Sequence, residues 1–237
     1  MLTPFIDSDV LAESPQVLAE RLAADVADSL RSAIDQRGRA TLVVSGGSTP
    51  KPFFHALSAL ALDWSSVCVT LADERWVDID HDDSNERFVR QHLLVDAAAA
   101  ATFLSLKNPH ASAHEGVEQC ESALAQLPWP VDVLVLGMGA DGHTASLFPQ
   151  SPGLDAALAA DNPRRCVAID PPGFPIGRMS LTLAALLDSR HLLLHITGER
   201  KREVLADGLE NSDTLALPVL ALMRSEHRPC VYWAPDA

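Results

Sequence analysis

The stretch VDVLVLGMGADGHTASLFP, residues 131–149, constrains the fold more than any other part of the chain. Its first part, Val131–Leu136, is apolar apart from Asp132 and rich in β-branched residues, which is typical of a strand buried in a parallel sheet. Three glycines follow within six residues, so the backbone turns sharply where the strand ends. In open α/β sheets, ligands bind at the carboxyl ends of such strands.

Two titratable side chains, Asp141 and His143, lie within this glycine turn. The turn also satisfies the G-x-G-x-x-G pattern of dinucleotide-binding proteins, but that pattern needs a long helix directly after it. Pro149, Pro152 and Gly153 would break such a helix near its start. The sequence therefore favours either a reactive site built on Asp141 and His143 or a tight turn with a solvated Asp-His pair.

A second glycine-rich turn, residues 45–49, follows a strand predicted at Ala40–Val44. A helix is predicted over residues 50–61, with Thr49 as its cap and Pro50 at its first position. Backbone N–H groups in such a turn and the positive end of the helix dipole bind anions, and phosphate is the natural ligand. Without the lysine of a P-loop, a nucleoside triphosphate is not expected. A well-capped helix with nothing bound is the alternative.

Length and composition favour one domain. The chain has 237 residues, of which 47% are hydrophobic, enough for the core of an α/β domain. No linker divides it, so we expect a single domain over residues 1–237. The apolar runs are shorter than the roughly 20 residues that span a bilayer, and the N-terminus does not resemble a leader. A cytoplasmic protein is therefore expected.

The charge balance limits the partners. With 18 Lys and Arg against 32 Asp and Glu, the formal net charge is −14. Such a surface repels nucleic acid and anionic membranes, so neither is expected as a partner. A site for an anion must then be locally basic, which directs attention to Arg178, after a Pro/Gly loop, and to Lys201. A lysine in the first turn of a helix opposes the dipole, so Lys201 either faces an anion or is simply solvated.

Three charged residues, Asp73, Glu74 and Arg75, follow the strand predicted at Val67–Leu71. They form either part of a site or a solvated corner. The acidic loop after them, residues 78–83, lacks the glycine and terminal glutamate of an EF-hand loop, so no metal is expected there.

The four cysteines are widely scattered, without a C-x-x-C pair, and three of them lie in strand-like runs. We therefore expect reduced thiols rather than disulfides or a zinc site. The cysteines are Cys68, Cys120, Cys166 and Cys230.

The remaining periodicity predicts alternating helices and strands. An amphipathic helix begins at Ser14 or Pro15 and ends at Gly38. Residues 179–187, MSLTLAALL, are predicted to be helical. His191 and His195 share one face of a strand and are expected to be packed or edge residues rather than ligands. Further helices are predicted at residues 84–94, 111–127, 199–209 and 215–223, and further strands at 102–106, 166–169, 191–196 and 231–233.

Four segments together resemble the 6-phosphogluconolactonases. They are SGGSTP at residues 45–50, LADERWV at 71–77 with SNER at 84–87, LGMGADGHTASLFP at 136–149, and RMSLT at 178–182 with GERK at 198–201. The resemblance spans nearly the whole chain, although SGGSTP is shared with glucosamine-6-phosphate deaminases. It implies an α/β, single-domain fold with a Rossmann-like, mostly parallel sheet and helices on both faces. It also implies hydrolysis of 6-phospho-D-glucono-1,5-lactone to 6-phospho-D-gluconate in the oxidative pentose phosphate pathway, with no cofactor and no metal.

The resemblance and the residues agree on a site with two ends. The phosphate would be held by Ser45, Gly46, Gly47, Ser48, Thr49, Arg178 and Lys201, and the catalytic residues would be His143, Asp141, Arg75 and Asp73. We hypothesise that His143, neutral near pH 7, acts as general base on the water that attacks lactone C1. Asp141 would orient the imidazole or the water. Backbone N–H groups of the turn, or Arg75, would stabilise the oxyanion.

Two other functions remain open. An amino-sugar-phosphate deaminase or isomerase would carry an Asn-Glu-Pro run after the histidine turn, whereas residues 146–150 are SLFPQ. A non-catalytic sugar-phosphate sensor would come with a DNA-binding module, and the sequence has no helix-turn-helix segment or basic extension. The expected partner is a small sugar phosphate lactone. The sequence does not define the oligomeric state, and a monomer is preferred.

Overall fold

The computed structural model describes residues 9–236. In these residues the strands, numbered β1 to β10 in chain order, are Val10–Leu11, Ala40–Val44, Val67–Leu71, Asp73–Arg75, Thr102–Phe103, Val131–Leu136, Cys166–Ile169, Arg178–Leu181, Ser189–Thr197 and Cys230–Ala234. The helices, α1 to α8, are Pro15–Arg37, Lys51–Ser58, Asn85–His92, Ala113–Leu124, Leu154–Ala157, Leu183–Leu187, Glu199–Asn211 and Val219–Met223.

Seven strands form one sheet in the order β1-β10-β9-β6-β2-β3-β5, and every neighbouring pair is parallel. Along the chain, β3 and β5 extend the sheet on one side of β2, whereas β6, β9 and β10 extend it on the other. The strand order therefore reverses between β2 and β6. Ligands bind beyond the carboxyl ends of the strands at such a switch point. The predicted mostly parallel, Rossmann-like sheet is confirmed.

The two central strands explain why the sequence is so apolar there. Every residue of β2 and of β6 is buried. Because side chains alternate between the two faces of a strand, both faces of the sheet must be covered. The helices predicted on both faces provide that cover, and continuous apolar runs are the consequence.

The long first helix begins and ends where the sequence predicts. The Ser14 hydroxyl accepts a hydrogen bond from the Val17 N–H, and Pro15 occupies the first helical position. At the other end Gly38 adopts the left-handed helical backbone conformation, with φ of 71°, and its N–H donates to the Ile34 carbonyl. The buried stripe that the periodicity predicts packs onto the sheet.

A second, antiparallel sheet of three strands, β4-β8-β7, was not predicted. The prediction that residues 179–187 are helical is wrong for Met179–Leu181, which belong to β8, and only Leu183–Leu187 is helical. All four residues of β8 are buried and paired with β4 and β7, so tertiary pairing overrides the local helix preference. The charged run Asp73–Arg75 is likewise a strand, not a solvated corner.

The other predicted helices and strands are present, several with shorter ends; the last helix, for example, starts at Val219 rather than at residue 215. No disulfide joins the four cysteines, and three of them lie in β3, β7 and β10, as expected. Within residues 9–236, no helix combines the length and the apolar character needed to cross a membrane.

The one charged residue of β6 generates a prediction about stability. Asp132 is buried, accepts from the Thr41 N–H at 2.8 Å and from Arg37 at 2.5 Å, and lies 3.5 Å from Arg190. Because Asp132→Ala leaves the buried Thr41 N–H without its acceptor, we expect it to lower the free energy of unfolding by about 2 kcal/mol, measured by urea denaturation.

The matched control for this prediction is Asp28→Ala. The ion pair of Asp28 with Arg31 is exposed, so its loss should cost less than about 0.5 kcal/mol. Equal losses in the two variants would contradict a structural role for the buried carboxylate.

Candidate active site

A cavity of about 250 Å³ opens at the carboxyl ends of β2 and β6, where the strand order reverses. Two loops contribute to its wall, residues 45–49 after β2 and residues 137–139 after β6. Separate elements add the polar side chains of Asp73, Arg75, Asn85, His143, His195 and Lys201. Most of the predicted site residues therefore meet in one cavity.

Two glycines allow other groups to pack closely against the backbone of the loop at residues 45–49. The Ser45 N–H donates to the Val135 carbonyl at 3.1 Å, which ties the loop to β6. A Cβ on Gly46 would lie 2.0 Å from Asn85 Oδ1, so only glycine fits there. Gly47 has φ of 99°, in the left-handed region that favours glycine.

The start of α2 differs from its prediction. Thr49 does not cap the helix; Pro50 occupies the N-cap position, and no side chain hydrogen-bonds the first turn within the described residues. Pro50 and Pro52 have no N–H, and the Lys51 N–H donates to the Ser48 carbonyl at 3.3 Å. An anion at this end of the cavity would therefore be bound by N–H groups of the loop rather than by those of the helix start.

The histidine turn after β6 is held by hydrogen bonds of its own. The Gly139 N–H donates to the His143 carbonyl at 2.9 Å, and the Thr144 hydroxyl donates to the Gly137 carbonyl at 2.9 Å. A Cβ on Gly139 would lie 2.2 Å from the imidazole of His143. The glycine is therefore required by the position of the ring.

The His143 imidazole is oriented from two sides. Its Nδ1 lies 2.6 Å from Asp141 Oδ1, and its ring stacks on Phe148 with 4.1 Å between centroids. Burial alone would raise the pKa of Asp141, but the charge and hydrogen bonds of His143 outweigh burial and hold this pKa below its ordinary value. An ionised Asp141 accepts the Nδ1 hydrogen, which leaves the lone pair on Nε2. Asp141 itself is not part of the cavity wall.

Asp73 and Arg75 both line the cavity but are held differently. Asp73 is buried, and its Oδ2 accepts from the Ser146 hydroxyl at 2.5 Å. This bond fastens β4 to the loop that carries His143. Arg75 is partly exposed and donates from Nη1 to the Asp83 carbonyl at 2.6 Å.

Glu74 has a supporting role that the sequence did not define. Its buried carboxylate accepts from the N–H groups of Arg75, Asn85 and Glu86 at 2.7 Å each, and from the Ser84 hydroxyl. Burial raises the pKa of Glu74 to about 7, against the lowering effect of these N–H groups. Glu74 thus holds the first turn of α3, and with it Asn85, against the cavity.

The two predicted cations of the phosphate site are placed differently. Lys201 lines the cavity, and burial lowers its pKa although Asp236 opposes the shift. Arg178 is not part of the wall: it pairs with Arg75 across β4 and β8. Burial, followed by the charge of Arg75, lowers the pKa of Arg178, and its Nη1 has no hydrogen-bond partner among the described residues.

Two residues of the wall were missed by the sequence analysis, Asn85 and His195. Asn85 donates to the Asp73 carbonyl at 2.9 Å, but its Oδ1 is buried without a partner in the described part of the chain. The Ser45 hydroxyl and His195 Nε2 are likewise buried without a hydrogen-bond partner in these residues. Asn85 lies within the segment SNER, and His195 interrupts the apolar run LLLHI of β9, so both carried a signal. Three unsatisfied polar atoms in one wall indicate a polar ligand.

Metal binding has no geometric support in the described residues. Across residues 9–236, no three His, Cys, Asp or Glu side chains are grouped so that they could hold a metal ion. The arrangement at the cavity instead combines an oriented imidazole, a glycine-rich loop and a half-buried lysine, which suits acid-base chemistry on a small anionic ligand.

Comparison with known proteins identifies the family of the chain. The chain belongs to the family described as glucosamine-6-phosphate isomerases/6-phosphogluconolactonase, whose profile matches residues 13–233.

Within that family, the similar proteins carry one particular name. The chain is 48% identical to a 6-phosphogluconolactonase of Pseudomonas aeruginosa, over 92% of this chain and 90% of the relative. It is 45% identical to a 6-phosphogluconolactonase of Rhizobium meliloti, over 94% of this chain and 97% of the relative. A crystal structure of a 6-phosphogluconolactonase from Shewanella baltica superposes with a TM-score of 0.92 at 45% identity, covering 97% and 99% of the two chains.

The contact between Gly139 and His143 generates a prediction about the imidazole. Gly139→Ala places a methyl group where the ring now lies, so we expect the ring to move and its 2.6 Å bond to Asp141 to be lost. The ring ¹⁵N resonances of His143 should shift. Gly137→Ala is the matched control, because a Cβ there meets nothing within 4 Å. Unchanged resonances in Gly139→Ala would contradict the close approach.

Proposed function

We propose that this chain hydrolyses 6-phospho-D-glucono-1,5-lactone to 6-phospho-D-gluconate, in the oxidative pentose phosphate pathway. The observation that carries the proposal is the Asp141–His143 pair, bonded at 2.6 Å, beside a cavity that also contains an anion-binding loop and Lys201. The relatives named 6-phosphogluconolactonase, at 48% and 45% identity, support the same reaction.

The phosphate end is proposed to be the loop at residues 45–49 with Lys201. Backbone N–H groups of this loop would donate to the phosphate oxygens, and the loop glycines let those oxygens approach. Burial lowers the pKa of Lys201, which means that its charge is poorly solvated without a ligand. A bound phosphate dianion would compensate that charge. Arg178 contributes to the local positive potential through its place beside Arg75.

The catalytic end is proposed to be His143. With Nδ1 engaged by Asp141, Nε2 accepts a proton from water as the oxygen of that water attacks lactone C1. The bond from C1 to the ring oxygen then breaks, and the imidazolium returns the proton to that oxygen. Asp141 keeps the tautomer and stabilises the imidazolium that forms between the two steps. The stack on Phe148 limits rotation of the ring.

The developing oxyanion on the lactone carbonyl needs a donor, which we assign to Arg75 or to the backbone N–H groups of the turn after β6. Arg75 lines the same cavity and is anchored by its bond to the Asp83 carbonyl. Asp73 acts indirectly, because its bond to Ser146 keeps the His143 loop against β4. The proposal includes no cofactor, no metal, no nucleic-acid partner and a cytoplasmic location.

Removal of the base tests the catalytic end. His143→Ala should lower kcat by about 10²- to 10⁴-fold with a much smaller change in KM. The measurement is acid release from freshly generated lactone, corrected for spontaneous hydrolysis, with EDTA in a parallel sample. EDTA should leave the rate unchanged. His227→Ala, an exposed histidine outside the cavity wall, is the control. A near-normal kcat in His143→Ala would refute the assignment.

Removal of the half-buried cation, Lys201, tests the phosphate end. Lys201→Ala should raise KM about 10-fold or more, because a hydrogen bond to a charged group is lost, while kcat changes little. Arg200→Ala is the matched control: it removes the same charge from the same turn of α7, but Arg200 is exposed and outside the wall. Equal effects on KM would indicate general electrostatic attraction rather than a phosphate contact.

A further inference from the structure

His195 is a buried histidine that the proposed mechanism does not use. It lies near the carboxyl end of β9, is 4% exposed, and forms part of the cavity wall. Its Nε2 has no hydrogen-bond partner within residues 9–236. A buried polar atom without a partner is costly, and such atoms in native proteins call for a ligand or another explanation.

The surroundings of His195 distinguish it from His143. Its ring meets Phe53 edge-on, with 6.2 Å between centroids, whereas Asp141 hydrogen-bonds His143. Burial, and then the charge of Lys201, lowers the pKa of His195 to about 4. The ring is therefore neutral at physiological pH and carries a single hydrogen. A neutral imidazole without an acidic partner suits hydrogen-bond donation better than proton transfer.

The position of His195 assigns it to the phosphate end of the cavity. Lys201 is close enough for its charge to act on the ring, and the loop at residues 45–49 shares the wall with both residues. A neutral donor beside Lys201 adds a phosphate contact without adding a second positive charge, which would repel the lysine. A phosphate oxygen would also give His195 Nε2 the hydrogen-bond partner that it lacks.

We propose that His195 is a phosphate-binding residue, whose Nε2–H donates directly to a phosphate oxygen of the sugar phosphate. The inference rests on the proposed function for the identity of the ligand. It assigns a specificity role to a residue whose place in an apolar strand favours a packing role.

Two substitutions separate binding from packing. His195→Leu removes the donor but fills the site with an apolar side chain of similar size, whereas His195→Gln keeps an N–H donor on a side chain of comparable length. For His195→Leu we expect about a 10-fold rise in KM for the phosphorylated lactone and in the Kd of 6-phospho-D-gluconate measured by calorimetry. The kcat should stay within about 3-fold of wild type. His195→Gln should recover most of the affinity.

The control is Phe53→Leu, which changes the packing around the ring but removes no polar group and lies outside the cavity wall. It should lower Tm and leave the Kd of 6-phospho-D-gluconate unchanged, whereas His195→Leu should not lower Tm. A Kd for His195→Leu within 2-fold of wild type would overturn the inference, and so would an equal loss of affinity in His195→Gln. If the wild type binds 6-phospho-D-gluconate but releases no acid from the lactone, the proposed reaction fails while the comparison of Kd still decides the role of His195.

Discussion

The parallel pairing of β2 with β6 is the constraint on which the rest of the site depends. Because the two strands run in the same direction, their carboxyl ends meet at one edge of the sheet, and the chain must turn away from both at the same level. The bond from the Ser45 N–H to the Val135 carbonyl extends this pairing by one residue into the loop. The sheet therefore fixes the separation between the loop at residues 45–49 and the histidine turn, and with it the length of a ligand that could reach both.

Two glycines let polar side chains pack directly against these turns. At Gly46 the missing Cβ admits the amide of Asn85, and at Gly139 it admits the imidazole of His143. In both places a side chain from elsewhere packs directly on the backbone, so the position of a polar group is tied to a rigid turn rather than to its own rotamers. Glu74 extends the same principle to α3, because its buried carboxylate holds the N–H groups at the start of that helix.

The sequence predicts this architecture where a signal is local, and fails where pairing is not local. The strand Val131–Leu136, the caps of α1 and the turns after β2 and β6 follow from residue types alone, since each is specified within a few positions. The small sheet was missed because β4 and β8 are short and far apart in the chain, and pairing with each other and with β7 decides their conformation. His195 was treated as a packing residue because its strand is apolar, and only the fold places it beside Lys201.

Electrostatics connect the site to the net charge of the chain. A formal charge of −14 opposes the approach of any phosphorylated ligand, yet the cavity offers it only two cations, Arg75 and Lys201, together with neutral donors. Removing a cation from water is costly, as the lowered pKa values of Lys201 and Arg178 indicate, so oriented neutral donors can contact a phosphate with less repulsion. Under the proposed reaction, hydrolysis converts an uncharged lactone carbonyl into a carboxylate close to Asp73 and the Asp141–His143 pair. The new carboxylate is repelled by Asp73 and Asp141, and Arg75, a donor proposed for the oxyanion, offsets that repulsion in part.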